Sequence, residues 1–400
     1  MRVIKIFLLF VCCISLDVQS QTFLSDTLGI NEDGSVIIAK SLALPGWILG
    51  VDVDSTDNLL FIRYRNLSKN ETSLKNKGGI SVYSLADQRM LWQRPVNYFN
   101  QDPKLTSEGV LFVTMGKATS LLDLKTGNEV WKKKKMIPYC VDAKNRMFLA
   151  YKGSYMNGVS NELEGHSLAT GEKMWSRKMS HVYGWNESGL LDDSTRLIVS
   201  DGIHLVHMGN GEGPSYAMPT GASDYKEAVA LGALGVVTGV LTGFAAVPTG
   251  PKKVMELVSN VLSDDTVFYV ASRENLFCLD RQLQPKWGYP IPDGMGSRSH
   301  LFARGDSLYM INMGTGYRNT IFDTSEAYAH EYLRLKVGWP FIACFDKRKG
   351  EKVWFRQLSD KKEMVEEFDI NWEEDALMVL FSDHIRKYSL SGDSLLSEVS

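Results

Sequence analysis

The sequence predicts an all-β fold, a β-propeller of seven four-stranded antiparallel blades, from two recurring phrases and their strict alternation along the chain. The first phrase is a polar turn entering a short β-rich segment. It reads DNLLFIRY at 57–64, EGVLFVTM at 108–115, NRMFLAYK at 145–152, TRLIVSDG at 195–202, DTVFYVAS at 265–272, DSLYMINM at 306–313 and DALMVLFS at 375–382. The second is a polar turn ending on a large side chain: SLADQRMLW at 84–92, LLDLKTGNEVW at 121–131, SLATGEKMW at 167–175, CLDRQLQPKW at 278–287 and FDKRKGEKVW at 345–354. Tyr216 and Leu396 stand in the tryptophan's place in two further copies, so each phrase occurs seven times.

Each unit reads as strand A, a tight turn, strand B carrying the first phrase, strand C, a polar or glycine-containing turn, and strand D carrying the second. Seven such units in tandem suit a radial arrangement, which removes long exposed sheet edges. Trp92, Trp131, Trp175, Trp287 and Trp354 then stand on outer strand D. There a flat ring that buries about 150–250 Å² can fill the wedge between neighbouring blades, so these five are read as structural docking residues. The strand-like run SVIIAKSLAL at 35–44 precedes the first A strand and is expected to complete the seventh blade.

Four hundred residues with 44% hydrophobic and 10% aromatic content can bury a large core. A formal charge of -3 gives no global attraction for nucleic acid or an anionic membrane, and the one basic run, Lys132 to Lys135, reads as a solvated strand end. The N-terminal MRVIKIFLLFVCCISLDVQSQ has Arg2 and Lys5, an apolar run from Ile6 to Ile14, and compact residues before Gln21. It reads as a secretory signal peptide over 1–20, leaving one propeller domain over 21–400 that is exported to the periplasm or the extracellular space. Cys12 and Cys13 would leave with the signal, and Cys140, Cys278 and Cys344, scattered in apolar runs, form no disulfide framework.

The pattern D-x-x-T-G-x-x-x-W, best kept as DLKTGNEVW from Asp123 to Trp131 with TGEKMW and KGEKVW as weaker copies, resembles the repeats of the pyrroloquinoline quinone (PQQ) enzyme-like propeller family. That resemblance implies either of two functions, because the family includes quinoprotein dehydrogenases and also a non-enzymatic outer-membrane assembly-factor propeller. The dehydrogenase branch has eight blades and a vicinal disulfide beside its quinone. Seven units are counted here, and the only adjacent cysteines lie in the signal segment. No motif supplies the convergent oxygens of a Ca²⁺ site. The expectation is therefore a non-catalytic chain without cofactor or metal, with a PQQ-dependent dehydrogenase-like quinoprotein as the alternative.

Asp52, Asp54 and Asp57 resemble the start of a calcium loop, but Arg63 occupies the place of the closing glutamate and the segment coincides with an A-to-B turn. His204 and His207, three apart on a strand, point to opposite faces and cannot chelate one metal together. GMGSRSH at 294–300 lacks the strand-then-helix context of a phosphate loop.

Two insertions, at about 219–253 and 317–340, are the unusual features. From Ala228 to Pro251 there is no charge, and Gly232, Gly235, Gly239 and Gly243 would form one stripe on a helix. A single membrane crossing here would separate the blades, so this helix is expected to cover its apolar face on the propeller, on a partner, or at a membrane interface. In the second insertion Asp323 and Glu326 resemble a capping box before a short helix, AYAHEYLRL. Blade 1 adds a long loop over 66–79. D-to-A and B-to-C loops share one face of a propeller, so the expected partner-binding face comprises Leu231, Leu234, Leu241, Phe244, Tyr328, Tyr332 and Trp339. A protein partner is expected there. No nucleic acid and no small-molecule substrate are implied.

Overall fold

The computed structural model describes residues 24–30, 32–41, 46–114, 117–154, 158–179, 187–200, 202–218, 222–224, 252–255, 257–318, 333–392 and 394–399. Those residues are all-β, with no helix among them. Seven four-stranded antiparallel sheets follow the tandem repeat. Sheet I is Trp47–Asp54, Leu59–Leu67, Leu74–Ser84 and Arg89–Asn97; sheet II is Gln101–Thr106, Gly109–Thr114, Ala118–Leu122 and Glu129–Lys134. Sheet III is Met136–Asp142, Met147–Ser154, Gly158–Ser167 and Lys173–Lys178; sheet IV is Glu187–Leu190, Thr195–Val199, Gly202–His207 and Ser215–Ala217. Sheet V is Leu262–Ser263, Val267–Ala271, Asn275–Asp280 and Pro285–Pro290; sheet VI is Ser299–Arg304, Ser307–Asn312, Phe341–Asp346 and Lys352–Gln357. Sheet VII is Glu367–Asn371, Ala376–Leu380, Ile385–Ser389 and Leu395–Val399. In every sheet the first phrase supplies the second strand, an apolar-rich run that is buried on both faces in sheets II and V, for example, while sheet VII's exposes Met378 and Leu380.

The chain divides into two compact units, residues 1–105 with 122–129, and residues 106–121 with 130–400. In the first unit, Leu59, Phe61, Ile62, Ile80 and Val82 are buried where the middle strands of sheet I pair. Trp92 donates its indole N–H to the Leu124 carbonyl at 2.7 Å. Asp52 pairs with Arg63 at 3.3 Å and the Asp54 carboxylate accepts the Thr56 amide at 3.0 Å within the hairpin and its turn, while Asp57 pairs with Lys125 of the sheet II C-to-D turn at 2.8 Å.

In the second unit, five apolar clusters are each drawn from two consecutive sheets. Leu111, Val113, Trp131 and Phe148 join sheets II and III; Leu149, Trp175, Ile198 and Val206 join III and IV. Val199, Leu205, Phe268 and Leu279 join IV and V, Tyr269, Leu276, Met310 and Phe345 join V and VI, and Ile311, Ile342, Leu377 and Val379 join VI and VII. Consecutive sheets therefore stack face to face, each strand burying one row of side chains forward and the other back.

The tryptophans sit at these junctions. Trp131 stacks on Phe148 at 5.8 Å and donates to the Leu168 carbonyl at 2.8 Å, and Trp175 donates to the Met208 carbonyl at 2.7 Å. The glycine of the next sheet's C-to-D turn lies flat against each ring: a Cβ built on Gly171 would stand 2.7 Å from Trp131, and one on Gly211 2.3 Å from Trp175. Both glycines have positive φ, +66° and +75°. The turn's geometry and the ring's approach thus demand the same residue. Trp287 departs from the pattern. Its Nε1 is buried without a hydrogen-bond partner, and the Tyr269 hydroxyl, at 3.2 Å, donates to the Lys347 carbonyl that occupies the acceptor's place. Trp354 packs at 6.2 Å from Tyr309, Tyr216 packs edge-on to Phe277 at 5.2 Å, and Leu396 is exposed.

Three expectations about elements are corrected. Val36–Ser41, expected to complete sheet VII, instead pairs with Leu24–Ile30, and Leu395–Val399 supplies the seventh sheet's last strand. Alternating hydrophobicity marks a strand but does not name its partner, and the short Tyr388↔Leu395 to Ile385↔Val399 ladder suffices. The blade 1 loop is mostly strand: the hairpin runs to Leu67 and resumes at Leu74, with only Ser68 to Ser73 turning. The helix expected through Leu335 is, from Leu333 to Lys336, a strand paired with Thr315–Arg318. A backbone ladder overrides the local capping signal there. The rest of that helix and all of 228–251 lie outside the described residues, as does the signal segment.

Candidate functional site

The stems of the two insertions meet. Ala222–Asp224, Lys252–Met255, Thr315–Arg318 and Leu333–Lys336 form an eighth four-stranded sheet, in which Val254↔Arg318 and Met255↔Tyr317 pair a strand of the first insertion with a strand of the second. Two excursions from different repeats thus share one backbone ladder, a link that no local pattern announces.

Beside this accessory sheet lies a cavity of about 530 Å³. Val258, Ser259 and Asn260 reach it from just before the first strand of sheet V, Arg298 and His300 from the start of sheet VI, and Glu366 and Phe368 from the start of sheet VII. Thr315, Tyr317 and Arg334 reach it from the accessory sheet. Its walls are therefore built where three consecutive inner strands begin.

A network of side-chain-to-backbone bonds fixes these walls. Asn312, fully buried, accepts the Ser297 amide at 2.9 Å and the Ser299 hydroxyl at 3.1 Å, and donates to the carbonyls of Met295 and Trp339 at 2.9 and 2.6 Å. Asn260 makes a two-point contact with Leu301, accepting its amide at 2.7 Å and donating to its carbonyl at 3.0 Å. The Ser259 hydroxyl accepts the Ala271 amide at 2.8 Å and donates to the Asn260 carbonyl at 2.7 Å. The Arg298 amide donates to Thr315 O at 2.9 Å, and its carbonyl accepts from Met313 at 2.8 Å, which ties sheet VI to the accessory sheet. Buried polar groups satisfied in this way hold a rigid frame.

The charge inside is uneven. Arg334 pairs with Glu366 and donates a second N–H to Val365 O at 2.9 Å, while its Nε is buried without a hydrogen-bond partner. The Arg298 guanidinium lies over the Tyr317 ring at 5.3 Å, and His300 meets Phe368 edge-on at 5.2 Å. Among the described lining residues, two guanidiniums and one carboxylate thus stand beside aromatic faces.

A second cavity of about 340 Å³, between sheets V and VI, is lined in part by Cys278, Trp287 and Lys347. Burial pushes the Cys278 thiol up to about 11, so it is protonated near neutral pH and a poor nucleophile. Lys347 is paired with Asp264 at 2.8 Å. Cys140, Cys278 and Cys344 form no disulfide, and no group of three or more His, Cys, Asp or Glu among the described residues is arranged to hold a metal ion. His204 contacts the Ser215 hydroxyl at 2.7 Å, and His207 accepts the Gly209 amide at 3.2 Å.

Of the expected partner-binding residues, Leu231, Leu234, Leu241, Phe244, Tyr328 and Tyr332 lie outside the described residues. Trp339 is half-buried; its amide donates to Met295 O at 3.0 Å, its carbonyl takes the Asn312 bond, and Lys362 Nζ stands 5.8 Å from its ring. Sequence reading missed Arg298, His300, Tyr317, Arg334 and Glu366. The one signal was GMGSRSH itself, which is no phosphate loop but places Arg298 and His300 at the cavity wall.

A family model described as outer membrane protein assembly factor BamB matches residues 69–284. No curated protein matches the chain. Among solved structures, BamB from Moraxella catarrhalis aligns over 88% of this chain and 87% of its own at 12% identity, with a TM-score of 0.42. A eukaryotic initiation factor aligns over 92% of this chain and 81% of its own at 9% identity, with a TM-score of 0.41. The computationally designed Ika8 protein aligns over 89% and 87% at 8% identity, with a TM-score of 0.36.

Proposed function

This chain belongs to the family of the outer membrane protein assembly factor BamB, and from that premise we propose that it is an exported, non-catalytic propeller of seven blades that holds a protein partner in the cell envelope or outside the cell. The observation that carries the reading is the accessory sheet, which gathers the stems of two insertions from different repeats beside one walled cavity. The C-to-D turns, by contrast, are short, and three of those described are closed on their own aspartates, Asp123, Asp280 and Asp346. Seven sheets that follow the tandem repeat, and clusters that each join consecutive sheets, support the seven-bladed ring. The partner surface extends from the accessory sheet into the insertion at 225–251, whose stretch from Ala228 to Pro251 carries no charge and suits burial against protein.

Replacing 225–251 by a short Gly-Ser linker tests this. The flanking strands Ala222–Asp224 and Lys252–Met255 are retained, so the thermal midpoint should hold while the partner captured by the wild type is lost. Undiminished capture would overturn the reading. Titration with PQQ and Ca²⁺ should give no quinone absorbance, and a stoichiometric quinone would instead establish the dehydrogenase-like alternative.

A further inference from the structure

We infer that the junction between sheets V and VI is a hinged joint: it opens and closes at its C-to-D-turn end, where the docking bond of the repeat is broken, while the accessory sheet holds its other end. The joint belongs to the chain itself, so it stands or falls independently of any partner.

Where sheets II and III meet, and again III and IV, the indole N–H on the last strand of one sheet donates to the first turn carbonyl of the next, Leu168 O or Met208 O. Lys347 O holds that place for Trp287, and the Tyr269 hydroxyl has taken it. A Cβ built on Gly350 would stand 2.4 Å from the Trp287 ring, so the ring is seated on its turn glycine and only its bond is missing. Among the described residues no other indole nitrogen is buried without a hydrogen-bond partner. Closing this end therefore strips a donor of water without replacing it, a cost that opening relieves. Packing is incomplete at the same place, because Tyr269, Cys278, Trp287 and Lys347 line the cavity of about 340 Å³. The half-buried Asp264 and Lys347 pair across the two sheets here at 2.8 Å.

The other end is tied by backbone. Val254↔Arg318 and Met255↔Tyr317 join the segment that leads into sheet V to the hairpin inserted in sheet VI, and Asn260 clamps Leu301 at both its amide and its carbonyl. A joint fixed at one end and underbonded at the other opens as a hinge.

Two cysteines report the opening. Cys278 is registered with Trp287 in sheet V and Cys344 with Trp354 at the same place in sheet VI, and each is 3% exposed. Trapping by iodoacetamide in the purified chain, read by peptide mass spectrometry, should label Cys278 at least about tenfold faster than Cys344. Asp264→Asn keeps the acceptor for the Thr266 amide but removes the charge paired with Lys347, and should speed Cys278 labelling several-fold while leaving Cys344 unchanged. Asp306→Asn, whose native carboxylate pairs with Arg348 inside sheet VI, is the control and should alter neither rate. Tyr269→Phe releases Lys347 O to the indole, so Cys278 labelling should slow several-fold and the Trp287 N–H resonance should move toward those of Trp131 and Trp175. A bond merely lost would speed the labelling instead. The Leu301 amide, at the hinge, should exchange at least about tenfold more slowly than the opening that exposes Cys278.

Equal labelling of Cys278 and Cys344, or an Asp264→Asn effect that is absent or shared by both, overturns the inference, since any opening would then be global. Unchanged or faster Cys278 labelling in Tyr269→Phe overturns it too, because the hydroxyl would not be what keeps the indole from its acceptor. Exchange of the Leu301 amide in step with Cys278 labelling would mean that both ends part together, and no hinge would remain. Partner capture by the linker variant bears on the scaffold reading alone, so the two can fail separately.

Discussion

At Gly171 the backbone has φ +66°, and any Cβ would strike the six-membered part of the Trp131 indole at 2.7 Å. Two costs coincide: the left-handed conformation disfavours a side chain, and the ring behind it is buried in the junction between sheets II and III. Gly171→Ala should therefore destabilise the protein by about 1–3 kcal/mol, seen as a lower denaturant midpoint at unchanged slope. Gly392, the corresponding glycine of the last repeat, has nothing within 4 Å and no positive φ, so Gly392→Ala should be neutral within about 0.5 kcal/mol. Similar losses at the two sites would mean that the ring contact contributes nothing. At this scale the sequence was informative where a motif repeats. The T-G-x-x-x-W phrase exposed the tryptophans and their turn glycines, whereas the cavity residues are common types at strand starts, with more than a hundred positions between Val258 and Phe368.

The turns are the elements whose chemistry was most legible, since an aspartate followed by small or polar residues closes a turn by accepting its own amides. The Asp123 carboxyl is held below its ordinary value by the Thr126 hydroxyl and amide, both at 2.7 Å, and the Asp346 carboxyl by the amides of Lys349 and Arg348. A carboxyl whose pKa is lowered on folding adds stability above its unfolded value, near 3.8, and that stability is lost as the pH falls through the folded value. The thermal midpoint should thus fall on acidification below about pH 4. In the double variant Asp123→Asn, Asp346→Asn, which keeps the acceptor oxygen but not the charge, that acid-side slope should be shallower; an unchanged slope would contradict the assignment. Strand existence was equally legible, and strand partnership was not. Val36–Ser41 and Leu333–Lys336 were placed wrongly because hydrophobic alternation and a capping box are local signals, while pairing with Leu24–Ile30 or Thr315–Arg318 is decided by backbone groups elsewhere.

For the whole molecule, the sevenfold alternation of two phrases was enough to foresee seven four-stranded sheets in chain order. The eighth sheet escaped notice because it belongs to no repeat and is assembled from the stems of two insertions. It is also the feature that gives the second unit two chemically different surfaces, one with the accessory sheet and its arginine-bearing cavity, the other with short C-to-D turns such as those at Asp280 and Asp346. The central claim, that a protein partner is held on the first of these surfaces, is tested most directly by site-specific photo-crosslinking in the exporting cell. A benzophenone amino acid is placed at Tyr317 on the cavity wall or at Lys349 in the exposed C-to-D turn of sheet VI. A discrete crosslinked species from position 317, with none from 349, is the result predicted here; crosslinking from 349 with none from 317 would contradict it.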